Sequence, residues 1–186
     1  MKVFFHFSVA GFSNSYLLGP DTGGDAILID PGVMDGALLN LVEGKGYYVR
    51  DILFTHSHTS HVSGLRTIMK IYDCTIYAAA DQIVGFPCNR LSGGDTIELS
   101  GFTVGALSVR GHSRDSIVYV IDNCLFTGDV MGAGTIGSTP NGYAQELLIN
   151  QIRQEIFALK DQYSLFPGHG APSTLEVERT LNPRFL

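Results

Sequence analysis

The stretch FTHSHTSH at residues 54–61 places three of the chain's six histidines, His56, His58 and His61, within six positions. It continues the strand-like segment that begins at DIL (51–53) and precedes VSGLRTIMKIY (62–72), where Val62, Leu65, Ile68 or Met69, and Tyr72 recur at helical spacing. The expected order is therefore strand, histidine loop, helix. Alternate residues of an extended segment share one face, so His56 and His58 can reach one ion. His61 enters a turn and is free to point elsewhere, toward a second ion.

The same arrangement recurs further along. His112 follows GALSVRG (105–111), Asp129 closes LFTGD (125–129), and His169 sits in LFPGHG (165–170). Each is a polar residue delivered by a strand end into a loop, the way a rigid scaffold builds a site. Imidazole is the commonest biological metal ligand and carboxylate complements it. Without metal, five such histidines would crowd together unpaired and partly desolvated. His56, His58, His61, His112, Asp129 and His169 are the candidate ligands, for one or two Zn²⁺ ions, with Fe²⁺ or Mn²⁺ as alternatives. No cysteine joins them, which points away from a closed structural zinc site. A catalytic centre is expected, with a metal-bound hydroxide as nucleophile. Asp129 is also expected to accept the water's proton. His6 reads as a satisfied structural residue, not a ligand.

Outside these loops, KVFFHFSV, SYLLG, DAILID, CTIYAA, the segments within 93–109 and 115–129, and YSLFPG read as strands. DGALLNLVEGKG, a long segment carrying Tyr143, Leu147, Leu148, Ile152, Ile156 and Leu159, and STLEVERTL read as helices. Asp30-Pro31-Gly32 is a turn signal, Pro fixing φ and Gly accepting a positive one. SIVYVI is apolar on both faces, as in a strand covered on both sides. Strands alternate with helices, cluster, then return to helices, which favours layered α/β over an all-β barrel. The 186 residues, 45% of them hydrophobic, suffice for one domain over 1–186.

The net charge of −6 and the lack of any Lys/Arg run disfavour nucleic acid as partner and leave a small-molecule substrate. The cysteines, Cys74, Cys88 and Cys124, are odd in number, which suits a reducing compartment and buried thiols. MKVFFHFSVAGF is interrupted by His6 and Ser8 and reads as a first strand, not an export leader. No segment approaches a membrane span. A cytoplasmic protein with no membrane partner is expected.

THSHTSHVSG resembles the T-H-x-H-x-D-H-x-x-G signature of the metallo-β-lactamase superfamily. LIDPG (28–32), GHS (111–113), FTGD (126–129) and FPGHG (166–170) follow in that family's order. The ending STLEVERTLNP is similar to the tail of small glyoxalase II-like hydrolases. The resemblance implies a four-layer αββα sandwich, His56, His58 and His112 on a first ion, Asp129 bridging, and His61 and His169 on a second. Asp30 would support the loops from behind the ligands. It also implies hydrolysis of a thioester or related ester or lactone. Full glyoxalase II enzymes carry an added helical domain that helps bind glutathione; these 186 residues are not expected to include one, so the resemblance implies the thioester more firmly than its carrier.

One position departs from the pattern. Where the family has an aspartate, this chain has Ser60, a neutral and poor ligand. The second ion is then expected to be held weakly, with Ser60 keeping a helix N-cap role; a catalytic hydroxyl is the alternative. Two other readings follow: a mononuclear iron persulfide dioxygenase-like oxidoreductase, and a degenerate metal-binding member with little activity. Tyr143 reads as a helix-face core residue, pocket lining being the alternative.

Overall fold

The computed structural model describes residues 1–9 and 11–186; Ala10, within the MKVFFHFSVAGF stretch, lies outside the described residues. The N-terminal half runs β1 (Lys2–Ser8), β2 (Ser13–Gly19), β3 (Gly24–Ile29), α1 (Gly36–Gly44), β4 (Tyr47–Leu53), α2 (Thr59–Val62), α3 (Leu65–Ile71) and β5 (Thr75–Ala78). A hairpin of β6 (Gln82–Ile83) and β7 (Phe86–Pro87) then leads to β8 (Asn89–Arg90). The C-terminal half continues with β9 (Thr96–Leu99), β10 (Phe102–Ser108), β11 (Ile117–Ile121), β12 (Cys124–Gly128) and the hairpin of β13 (Met131–Gly132) and β14 (Thr135–Ile136). Helix α4 (Gly142–Gln151) passes into a π-helical turn (Ile152–Ile156), followed by β15 (Ser164–Pro167), β16 (Ser173–Thr174) and α5 (Leu175–Leu181).

Two six-stranded sheets result, in the orders β1-β2-β3-β4-β5-β8 and β16-β15-β12-β11-β10-β9. The period-two alternation of strand side chains divides the apolar residues among three cores. In β3, Ala26 and Leu28 pack with Leu38, Val42, Leu65 and Ile68 of the helices, while Ile27 and Ile29 turn between the sheets. In β11, Ile117, Tyr119 and Ile121 meet them there, while Val118 faces Leu148, Ile152 and Ile156 behind the second sheet. Helix, sheet, sheet and helix are thus stacked in the αββα order.

The topology brings the candidate ligands to one edge. β3, β4 and β5 run parallel, as do β12 and β15. β10 is antiparallel to β11, which is antiparallel to β12, so β10 and β12 share a direction. The Ile117 amide donates to the Thr55 carbonyl (2.9 Å), and the Tyr16 hydroxyl to the Pro167 carbonyl (2.7 Å), lacing the two sheets at this edge.

Three local expectations change. The Asp30-Pro31-Gly32 turn takes its positive φ at Asp30 (48°), not at Gly32. Gly32 is needed for proximity instead: a Cβ there would lie 2.0 Å from the Ser60 carbonyl oxygen. The helix after the histidines breaks at Ser63–Gly64 into α2 and α3. Tyr143, expected on a core stripe, is 81% exposed, because the buried stripe of α4 begins at Leu148. No helix among the described residues is long and apolar enough to cross a membrane.

Candidate metal centre

The strand ends bring His56, His58, His112 and Asp129 into one group and His61, Asp129 and His169 into another. His6 is apart from both, buried beside Asp35, with its Nε2 3.1 Å from the carboxylate that caps α1. In the first group, His56 Nε2 lies 3.0 Å from His58 Nδ1, and His112 Nε2 lies 3.0 Å from His58 Nδ1 and 3.3 Å from His56 Nε2. Asp129 Oδ2 is 3.7 Å from both His56 Nε2 and His112 Nε2.

Hydrogen bonds on the far side of the rings decide what these nitrogens carry. The Thr55 hydroxyl donates to Asp30 Oδ2 (2.6 Å), so its oxygen accepts from His56 Nδ1 (3.1 Å). His112 Nδ1 donates to the Ser138 carbonyl (2.8 Å). Both rings therefore hold their proton on Nδ1 and turn an Nε2 lone pair inward. Burial also lowers the pKa of His56 to about 4 and moves that of His58 down. Neutral rings with converging lone pairs repel one another unless something positive lies between them. Tetrahedral coordination at zinc–nitrogen distances puts ligand atoms about 3.3 Å apart, close to the separations here. The first group fits a divalent cation.

The second group is wired differently. His61 is fully buried, and both its ring nitrogens lack a hydrogen-bond partner. They lie 3.3 Å from Asp30 Oδ2 and 3.4 Å from Asp129 Oδ1. Burial opposes charge on this ring, but the two flanking carboxylates prevail and raise its pKa to about 10. His169 Nδ1 lies 2.7 Å from Asp129 Oδ1, and its Nε2 is 3.2 Å from the Gly11 carbonyl. The Asp129 hydrogen bond raises the pKa of His169. Burial pushes the Asp129 carboxyl up, yet contacts from His169 and His61 outweigh it and hold the group well below the ordinary carboxylate range. A carboxylate held so firmly ionised is a better ligand than proton acceptor. Close approach is possible because Gly168 has no side chain: a Cβ there would lie 2.6 Å from both Asp129 Oδ1 and His61 Cε1.

Asp30 lies behind the ligands as expected, accepting the Thr55 amide (2.8 Å) and hydroxyl and facing His61. Ser60 does not cap a helix. Helix α2 starts one residue earlier, at Thr59, with His58 in the cap position and no side-chain cap bond. Ser60 is anchored through its backbone, its carbonyl accepting the Ser13 hydroxyl at 2.6 Å. Two site residues escape the sequence reading: Thr55, which fixes the His56 tautomer, and Ser138, whose carbonyl fixes that of His112. The threonine directly before His56 was the available signal; a backbone carbonyl leaves none.

Residues 9–169 match the family model described as the metallo-beta-lactamase superfamily. The chain belongs to that superfamily. Within it, a probable metallo-hydrolase of Streptococcus pyogenes is 29% identical, the match covering 100% of this chain and 90% of the relative. A hydroxyacylglutathione hydrolase of Methylobacillus flagellatus is 29% identical over 68% of this chain and 51% of its own length. A mitochondrial persulfide dioxygenase of Bos taurus is 30% identical over 91% of this chain and 70% of its own. The metallo-β-lactamase fold accounts for both sheets, and the superfamily's affinity for divalent metals agrees with the two donor groups.

Proposed function

We propose that this chain is a metal-dependent hydrolase of a thioester or related ester or lactone, working at the edge where His56, His58 and His112 hold one divalent ion. His61, Asp129 and His169 would hold a second ion, more weakly. The observation that carries this reading is the set of three inward nitrogens 3.0–3.3 Å apart, two of them with their tautomers fixed from behind. Divalent ions bound there supply Lewis acidity, acidifying a water and polarising the carbonyl it attacks. The protein's own part is positional. Thr55 and Asp30 hold the His56 ring, the Ser138 carbonyl holds that of His112, and Gly11 and Asp129 hold that of His169. A cavity of about 170 Å³, lined by His112, Asp129, Ile136 and His169, adjoins these groups and receives the scissile bond.

The relation to a persulfide dioxygenase supports a second reading, an iron site oxidising a persulfide with O₂. One experiment separates the two. Metal content is measured together with turnover of thioester, lactone and phosphodiester panels under added Zn²⁺, Mn²⁺ or Fe²⁺, and with oxygen uptake on a persulfide. Thioester cleavage that disappears together with the bound metal in His112→Ala is the expected result. Oxygen uptake with iron alone would replace it by the second reading. No turnover under any condition would leave a metal-binding member without activity.

A further inference from the structure

The cavity beside the metal groups is too small for a whole substrate, since ligand sites commonly span about 300–1,000 Å³. A much larger cavity of about 690 Å³ lies on the other flank of the His112 loop. Its wall carries Arg90, Arg110 and Arg114, three of the chain's eight arginines, with Ser92 and Ser108 between them. Glu155 is the one acidic residue lining it, so the wall is net positive by two (three minus one) in a chain of net charge −6. Arg90 shares its charge with Asp81 in an exposed pair at 3.3 Å, which holds it only weakly. Arg110 and Arg114 make no ion pair among the described residues. They stand two positions before and two after His112, so the segment that offers a metal ligand on one side offers two free guanidinium forks on the other.

The far wall is unusual as well. It is formed by α4 and the π-helical turn, through Leu147, Gln151 and Glu155. Such turns insert a residue at a cost in helix regularity and recur at functional sites. Here the turn keeps Ile152 and Ile156 in the core while Gln151 and Glu155 face the cavity, and the Gln151 side-chain oxygen accepts the Arg110 amide at 3.5 Å. The guanidinium fork matches carboxylate and phosphate oxygens two at a time.

We propose that the Arg90–Arg110–Arg114 cavity is an anion subsite, and that the substrate carries a carboxylate or phosphate group remote from the bond that is cleaved. The anion subsite stands on the cavity alone; its link to the substrate rests on the hydrolase reading above.

Two arms test it. In the first, inorganic phosphate and succinate are titrated calorimetrically into metal-stripped protein at low salt. Both are expected to bind wild type and His58→Ala alike, at least tenfold more weakly the double variant Arg110→Gln/Arg114→Gln, and to be displaced by 0.5 M NaCl. Arg184→Gln, an exposed arginine away from the cavity, serves as the control for bulk charge. The tighter of the two probes identifies the anion. In the second arm, two thioesters that differ only in a terminal carboxylate or its neutral methylamide are compared on the metal-loaded enzyme. The acidic one is expected to have a KM at least tenfold lower, and the double variant to bring that ratio close to one. Binding of neither probe, or equal binding by wild type and double variant, overturns the subsite even if both thioesters are cleaved. Cleavage of neither thioester removes the hydrolase reading, and the titration still decides the subsite.

Discussion

At position 60 the superfamily pattern has an anionic ligand and this chain has a hydroxyl. The backbone there is held by the Ser13 hydroxyl on the Ser60 carbonyl and by the closeness of Gly32, neither of which involves the Ser60 side chain. A change of side chain alone should therefore leave α2 in place. His61, Asp129 and His169 make three protein donors without it, enough for an ion but short of the usual charge. Ser60→Asp is expected to raise the metal content of purified protein from about one ion per chain toward two. Unchanged content, measured by elemental analysis on folded protein, would show that Ser60 does not limit the second group. Thr55 makes the complementary case. Thr55→Val keeps the shape but removes both the hydroxyl that accepts from His56 and its donation to Asp30. Leaving a buried carboxylate oxygen and a ring nitrogen unpaired costs about 1–3 kcal/mol. Affinity for the first ion is expected to fall by one to two orders of magnitude, read by competition with a chromogenic chelator. An affinity within twofold of wild type would remove Thr55 from the role given to it here.

At the scale of elements, the tail helix α5 acts on the site without touching it. Glu178 is 1% exposed. Its carboxylate accepts from the Gly134 amide (2.9 Å), the Asn182 side-chain amide (2.7 Å) and the Ser173 hydroxyl (2.5 Å). Asn182 in turn donates to the Thr135 carbonyl at 3.2 Å. Together these ties fasten the β13–β14 hairpin, whose continuation carries the Ser138 carbonyl that orients His112. The STLEVERTLNP ending is thus a clamp on the metal edge. Glu178→Ala removes the acceptor of the buried Asn182 amide, the half-buried Ser173 hydroxyl and the exposed Gly134 amide, and is expected to destabilise the chain by roughly 2–3 kcal/mol. Because the hairpin loosens, the first ion should also become easier to remove. Urea unfolding of the metal-free protein measures the first effect, and chelator competition the second. A stability loss with no change in ion retention would separate the clamp from the site.

Across the whole molecule, the strands and the ligands they deliver could be read from sequence because each rests on a local signal. Continuous apolar runs mark β3 and β11, and a histidine or aspartate in a glycine-bearing loop marks the strand ends at the metal edge. What escaped reading depends on partners distant in the chain. The positive φ at Asp30 follows from its carboxylate reaching Thr55, twenty-five residues on. The arginine cavity joins Arg90 to Arg110 and Arg114, which no charge run reveals. The interplay between the metal groups is another property of the assembled fold, and it sets the pH response of the metal-free protein. His61, raised to about 10 by its carboxylates, is protonated in the fold but neutral in the unfolded chain between pH 6.5 and 10. Its stabilisation is complete below pH 6.5 and disappears as pH rises through 10. His56, lowered by burial to about 4, stays neutral in the fold while the unfolded chain takes up a proton below pH 6.5. Stability therefore falls between pH 6.5 and 4, by roughly 3 kcal/mol from this ring at 1.36 kcal/mol per pKa unit. His58 adds to the acid limb with the same sign. Urea midpoints of metal-stripped protein should peak near pH 6.5 and decline on both sides. His61→Gln should shrink the alkaline limb, because Asp30 and Asp129 together hold the proton on His61, while His169 keeps a smaller part of it with the same sign. The acid limb should ease slightly, because the His61 charge helps to lower His56 and His58. A midpoint that climbs steadily through pH 8 would mean that the carboxylates do not hold His61 charged.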